Sequence, residues 1–225
     1  MDLYLQPSYF MNFQHPAVQT FIQESTDPDS SIHQQMIDLY YAVRDGFRYD
    51  PYDINLSHTT MQASHIVQRS PRKGYCIEKS NLFAACCRAI GFPTRLGFAN
   101  VRNHIGTEKL EEKMGTDELV FHGYTEVFVN GNWIKATPVF NRELCQKLGV
   151  EPLEFDGQSD SIFQEFDQKG GQFMEYLVYH GTFHDVPHDK FLLEMVRTYP
   201  KLFPGVNPQK DILPQIQKLK EHVSF

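Results

Sequence analysis

The run from Gly74 to Arg95 limits the fold more than any other stretch of this chain. Gly74 supplies backbone freedom just before a helix. Cys76 to Ile90 suits that helix, with Phe83, Cys87 and Ile90 on one stripe and Leu82 and Cys86 beside it. Gly91 stands where a C-cap belongs and Pro93 blocks continuation, so the chain must leave the helix extended. Cys76 therefore falls on the first turn. The N–H groups there have no partner within the helix, and the helix end carries a partial positive charge. Both favour a thiolate over a thiol, and the N–H groups can hold an oxyanion.

A cysteine nucleophile needs a base, and residues 121–138 offer one. Two β-rich runs flank Asn130-Gly131, the strongest short hairpin signal, and His122 opens the first of them. A single cysteine is ordinarily a small buried hydrophobe and a single histidine a satisfied polar residue. A pair in this setting is more specific.

These residues resemble a family. A Cys opens a helix that ends in Arg88-Ala89-Ile90-Gly91-Phe92-Pro93-Thr94-Arg95. A His then opens a strand that contains Glu126 and leads to Trp133. The pattern is similar to the transglutaminase-like superfamily, and within it to the bacterial transglutaminase-like cysteine proteases. The tract Arg44–Tyr49 also resembles the segment that precedes the nucleophile there. The superfamily match covers about residues 40–140, and the bacterial group resembles the chain almost throughout. The resemblance implies an α+β, papain-like fold with the nucleophile at a helix N-terminus packed on an antiparallel sheet. It also implies a Cys–His–Asp site, with Cys76 as nucleophile and His122 as base.

One departure matters. The family places an Asp four residues after the Trp, and here that position is Thr137. Thr137 can accept a hydrogen bond from the ring but brings no charge to stabilise an imidazolium. Asn141 is an amide of the kind papain-like sites use, four residues further on and past Pro138. Glu126 shares a strand face with His122 at i+4, about 13 Å away, too far for contact. Tyr75, beside the nucleophile, and Asn103-His104, which the bacterial group shares, are the candidate substrate-binding residues. A hydrogen-bonded loop anchor is the plainer reading of Asn103 and His104.

Composition excludes some functions. The 21 Lys+Arg against 28 Asp+Glu give −7, which argues against a nucleic-acid partner. No apolar run is long enough to span a bilayer, so no membrane partner is expected. Met1–Pro7 has neither a basic n-region nor an apolar core, so no secretory signal is expected. The cysteines at 76, 86, 87 and 145 lack metal or disulfide spacing, and free thiols suit a reducing cytoplasm. No cofactor is expected. The oligomeric state is not legible.

Along the chain, Pro16 opens a helix reaching about Gln23, and Ser30 caps a second through about Phe47, with Ile32, Met36, Leu39 or Tyr40, and Val43 at helical spacing. Residues 58–69 suit a short helix and Arg95–Val101 a strand. Residues 103–118 read as a charged loop with a helix over Glu108–Met114. A short helix starts near Asn141, and Asp156–Asp160 is a turn that lacks calcium-loop ligands. Phe173–Tyr179 reads as helical, Lys190–Tyr199 as an amphipathic helix, and about Ile212–Glu221 as the last. His180, His184 and His188 would share a helix face and bind a metal, but Gly181 and Pro187 interrupt that helix, so no metal site is expected. Without repeats or a clear linker, residues 1–225 read as one domain with helical extensions around the 40–140 core.

The expected function is acyl transfer from, or hydrolysis of, amide bonds in a peptide or protein substrate through a thioester. The alternative is a catalytically degenerate relative that binds peptides or proteins. The missing Asp favours it and the retained Cys–His pair opposes it.

Overall fold

Helix α4, Cys76–Ala89, is enclosed on every side: each residue from Ile77 to Arg88 is buried. It lies at the centre of a computed structural model that describes residues 1–54, 57–105, 108–163, 171 and 173–214. The helix rests on a four-stranded antiparallel sheet of order β5-β4-β3-β6. The strands are β3 (Thr94–Asn103), β4 (Glu118–Val129), β5 (Asn132–Ala136) and β6 (Met174–Phe183). Asn130 and Gly131 turn β4 into β5 with φ of 49° and 90°, the left-handed pair that an Asn-Gly hairpin turn requires.

The helix meets the sheet at Gly123. A Cβ there would sit 3.2 Å from the Ile77 Cα, so a side chain would push the helix start off the strand. Ser80 Oγ donates to the Gly123 carbonyl at 3.0 Å, and Thr125 Oγ1 donates to the Ser80 carbonyl at 2.8 Å.

Helices α1 (Pro16–Ser25), α2 (Ile32–Gly46) and α3 (Ala63–Gln68) close the other sides of α4. The α2 cap is Ser31 rather than the expected Ser30. Ser31 Oγ accepts from Gln34 N, whereas Ser30 Oγ donates back to the Asp27 carbonyl. Two-residue strands β1 (Arg48–Tyr49) and β2 (Lys73–Gly74) pair in parallel and deliver the chain to Cys76. The remaining α-helices among the described residues are α5 (Glu108–Met114), α6 (Arg142–Leu148) and α7 (His188–Thr198).

Phe173–Tyr179 is not a helix. Most of it is strand β6, which pairs with the open edge of β3 from Leu96↔Phe183 to Asn103↔Met174. Its aromatic and β-branched residues suit a strand, and a short apolar run carries no period that separates the two states. The last expected helix begins differently. Pro208–Ile212 is a π-helical turn, and residues 215–221 of that expectation lie outside the described residues. No helix among the described residues is long and apolar enough to cross a membrane.

The polar residues of α4 are buried with partners. Glu78 Oε1 and Oε2 accept from Arg69 at 2.6 and 2.9 Å, and Glu78 Oε2 also accepts from Tyr75 N, closing the helix N-terminus. Lys79 Nζ donates to the carbonyls of Arg44, Phe47 and Val139 at 2.8, 2.6 and 2.6 Å. Asn81 Nδ2 donates to the Phe10 and Met61 carbonyls. Arg88 bonds to Thr94 and to the carbonyls of Gln6 and His184. Burial pushes Lys79 down to about 7, while three acceptors for three N–H groups oppose that shift by holding the ammonium.

Lys79→Met should therefore strip three buried carbonyls of their donor and cost about 3 kcal/mol or more, since each orphaned buried group costs about 1–3 kcal/mol. Lys109→Met, at an exposed site, should change stability by less than about 0.5 kcal/mol. Urea melts of the two variants check this. Equal midpoints would show that Lys79 does not hold these segments together.

Candidate active site

Cys76 and His122 come from opposite sides of the α4–sheet contact and line one cavity of about 40 Å³. Tyr75, Phe121, Phe191, Met195 and Tyr199 are among its mostly apolar walls. By volume it holds little more than a water or two or a small group. Tyr49 and Pro51 separate it from an open cleft of about 440 Å³, which Arg48, Asp50, Tyr52, Asn103 and Phe140 help to line.

A bulge aims His122. In the β3–β4 ladder Ala99 faces His122 and Val101 faces Leu119, so Val120 and Phe121 together oppose Asn100. Phe121 adopts φ 55°, a left-handed conformation that a bulky residue takes only when its surroundings impose it. Those surroundings are identifiable. Asn100 Oδ1 accepts from Phe121 N at 3.1 Å and lies 2.6 Å from His180 Nε2, while Asn100 Nδ2 donates to Glu118 Oε1. The His180 ring stacks on Phe121 with centroids 4.2 Å apart. Tyr199 Oη accepts from Val120 N at 2.7 Å and donates to the Glu118 carbonyl at 2.9 Å. Asn100, His180 and Tyr199 are thus positioning residues. No motif marks them, because their roles depend on a bulge that the alternating pattern of β4 does not reveal.

The electrostatics differ from the thiolate expected at a helix start. Burial pushes the Cys76 thiol up to about 11, and the carboxylate of Glu78, two residues along, adds to that. The N–H groups of Gly123, Ile77 and Cys76 itself pull the other way without prevailing. Burial alone pushes His122 down to about 4. Desolvation outweighs the helix end here, so at rest the cavity is lined by a neutral thiol and a neutral imidazole.

The remaining expected site residues fall as follows. Thr137 is buried just past the end of β5, but its hydroxyl and His122 Nε2 are both buried without a hydrogen-bond partner among the described residues. The expected Thr137–His122 hydrogen bond is therefore absent. Asn141 does not replace it, because its Oδ1 accepts from Tyr49 N at 3.1 Å. Glu126 is held away by Arg95 at 2.6 Å, whose guanidinium lies over Trp133. Tyr75 lines the cavity, with its hydroxyl buried and lacking a partner among the described residues. Asn103 lines the neighbouring cleft, and its Oδ1 accepts from Ile105 N, as a loop anchor does. His104 lines neither cavity described above. Its Nε2 lies 3.4 Å from Glu175. The three spaced histidines do not share a helix: His180 is on β6, His184 follows it, and His188 starts α7.

The family model for the transglutaminase-like superfamily matches residues 19–138. Among solved structures, the chain is similar to a protein provisionally assigned as a cysteine protease from Cytophaga hutchinsonii, at 16% identity and TM-score 0.49, over 82% of this chain and 47% of that one. It is also similar to an arylamine N-acetyltransferase from Mycobacterium abscessus, at 19% identity and TM-score 0.41, over 60% of this chain and 46% of that one. The chain thus spans about half the length of these structures. No curated protein matches it.

Three outcomes follow from the site. Iodoacetamide should label Cys76 before Cys86, Cys87 and Cys145, which are buried where Cys76 is half-exposed. Because the thiol is pushed up to about 11, its labelling rate should keep rising about tenfold per pH unit through pH 9. A rate that levels off below pH 8 would mean a preformed thiolate. Tyr199→Phe should slow Cys76 chemistry by releasing the bulge and cost about 1–3 kcal/mol in stability. Thermal melts and the labelling rate report the two effects separately.

Proposed function

Because the chain belongs to the transglutaminase-like superfamily, whose general chemistry is cysteine-based acyl transfer or hydrolysis, we propose that it cleaves or transfers amide-linked acyl groups of a peptide or protein through a thioester on Cys76. The observation that carries this reading is the shared cavity, walled by the first residue of α4 and by His122 beyond the bulge.

With both partners neutral at rest, His122 acts as a general base during attack rather than as half of a standing ion pair. The Cys76 sulfur attacks the carbonyl carbon as its proton passes to the imidazole. The tetrahedral oxyanion is met by the N–H groups at the helix start, Cys76 N and Ile77 N. The imidazolium then returns the proton to the leaving amine, the C–N bond breaks and the thioester remains. Water, or an acceptor amine, attacks the thioester; His122 takes its proton and returns one to the departing sulfur. The open cleft beyond Tyr49 would take the polypeptide on the other side of the scissile bond. The free thiols suit a reducing compartment, and we place the protein in the cytoplasm.

The unpartnered His122 Nε2 favours a second reading, a relative that has lost its orienting acid and binds peptides without cleaving them. Incubation with activated esters and peptide amides, followed by intact mass and peptide mapping, separates the two. An acyl adduct on Cys76, absent in Cys76→Ala, is the expected result. Peptide binding without any adduct would favour the binding module. Thr137→Asp should place an acceptor near the bare ring nitrogen and raise the acylation rate about tenfold or more, provided the fold is kept. An unchanged rate in a folded variant would mean that position 137 does not face His122.

A further inference from the structure

The regular histidine spacing that suggested a metal helix dissolves in the fold, and one of its members joins a different group. His188, at the start of α7, comes together with His58, from the turn before Thr59–Met61, and with Asp189. One ligand atom from each of these three side chains lies within 4.8 Å of the others. The two imidazoles approach to 3.8 Å between centroids, and the His188 ring stacks on Phe10 at 5.7 Å. All three residues line a cleft of about 400 Å³ with Phe183, Val186 and Lys190. His188 is buried and the other two are half-exposed.

We propose that His58, His188 and Asp189 bind a divalent transition-metal ion, zinc by preference, with its fourth position open to this cleft. Two imidazoles and one carboxylate are a donor set for such ions, and zinc accepts three protein ligands plus a water. Zinc bonds of about 2.0–2.1 Å put ligand atoms roughly 3.3 Å apart in a tetrahedron. From separations of 4.8 Å or less, each pair of ligand atoms would close by at most about 1.5 Å. The carboxylate is needed, because Lys190 shares the cleft wall and its ammonium, 5.1 Å from the Phe183 ring centre, opposes a cation.

The ion would tie segments far apart in sequence. His58 precedes α3, while His188 and Asp189 begin the helix that carries Phe191 and Met195 into the wall of the Cys76 cavity. Loading the site therefore fixes the N-terminus of α7 against the rest of the protein. The site is independent of the Cys76 chemistry and is tested without it.

The full chain, stripped with a chelator, is titrated with Zn(II) by calorimetry and with Co(II) by absorption. One equivalent should bind with a micromolar or tighter Kd and raise the Tm. The Co(II) spectrum should show tetrahedral d–d bands without thiolate charge transfer, which excludes the cysteines as ligands. His58→Ala and Asp189→Asn should each weaken binding at least tenfold, and His184→Ala should not. His58 and Asp189 are half-exposed, so these variants keep the test sound if His188→Ala fails to fold. Absent saturable binding, thiolate bands, or equal affinity in His58→Ala would each overturn the site.

Discussion

Burial of polar groups on α4 is the constraint on which the other contacts depend. A helix surrounded by protein cannot leave Glu78, Lys79, Asn81 and Arg88 unbonded, since an isolated buried charge costs many times the net gain of one hydrogen bond. Each recruits a different segment. Arg69 answers Glu78, and the C-terminal end of α2 together with the β5–α6 connection answers Lys79. Phe10 and Met61 answer Asn81, and the carbonyls of Gln6 and His184 answer Arg88. The loops that surround the candidate site are thus pinned by hydrogen bonds to one helix rather than by apolar contact alone. The same Glu78 that closes the helix start also works against a thiolate at Cys76.

The sheet contributes the other half of the site through a departure from regularity. Gly123 lets the helix start approach β4, and the bulge just before it presents His122 in the same cavity. Phe121 pays in backbone conformation for that placement, and the Asn100–His180–Tyr199 contacts keep it there. A ring nitrogen left bare at Nε2, in a site without a neighbouring carboxylate partner among the described residues, makes a neutral imidazole the stable form.

The parts of this arrangement legible in the sequence were those with local causes. Gly91 and Pro93 end α4, Asn130-Gly131 makes the hairpin, and the Cys and His spacing resembles a family whose model covers residues 19–138. What stayed hidden depends on distant segments. The burial of Glu78 to Asn81 and Arg88 carries no local signal, because partners such as Val139, Phe10, Gln6 and His184 lie as many as 96 residues away in the chain. Phe173–Tyr179 read as helical because the pairing edge that β3 offers it cannot be seen locally. Thr137 held the place of an Asp in the linear pattern, yet its hydroxyl makes no hydrogen bond to the ring, which spacing from Trp133 cannot reveal.

A neutral thiol and a neutral imidazole define the resting Cys76–His122 site, and the ionisation of His122 tests this most directly. An NMR pH titration of ring-labelled histidine, with His122 assigned by substitution, should find its imidazole neutral from about pH 5.5 upward, in keeping with a pKa pushed by burial to about 4. Cys76→Ala should leave that titration in place. An imidazolium that persists at about pH 7 and becomes neutral when Cys76 is replaced by alanine would contradict the account, because it would reveal a standing thiolate–imidazolium pair.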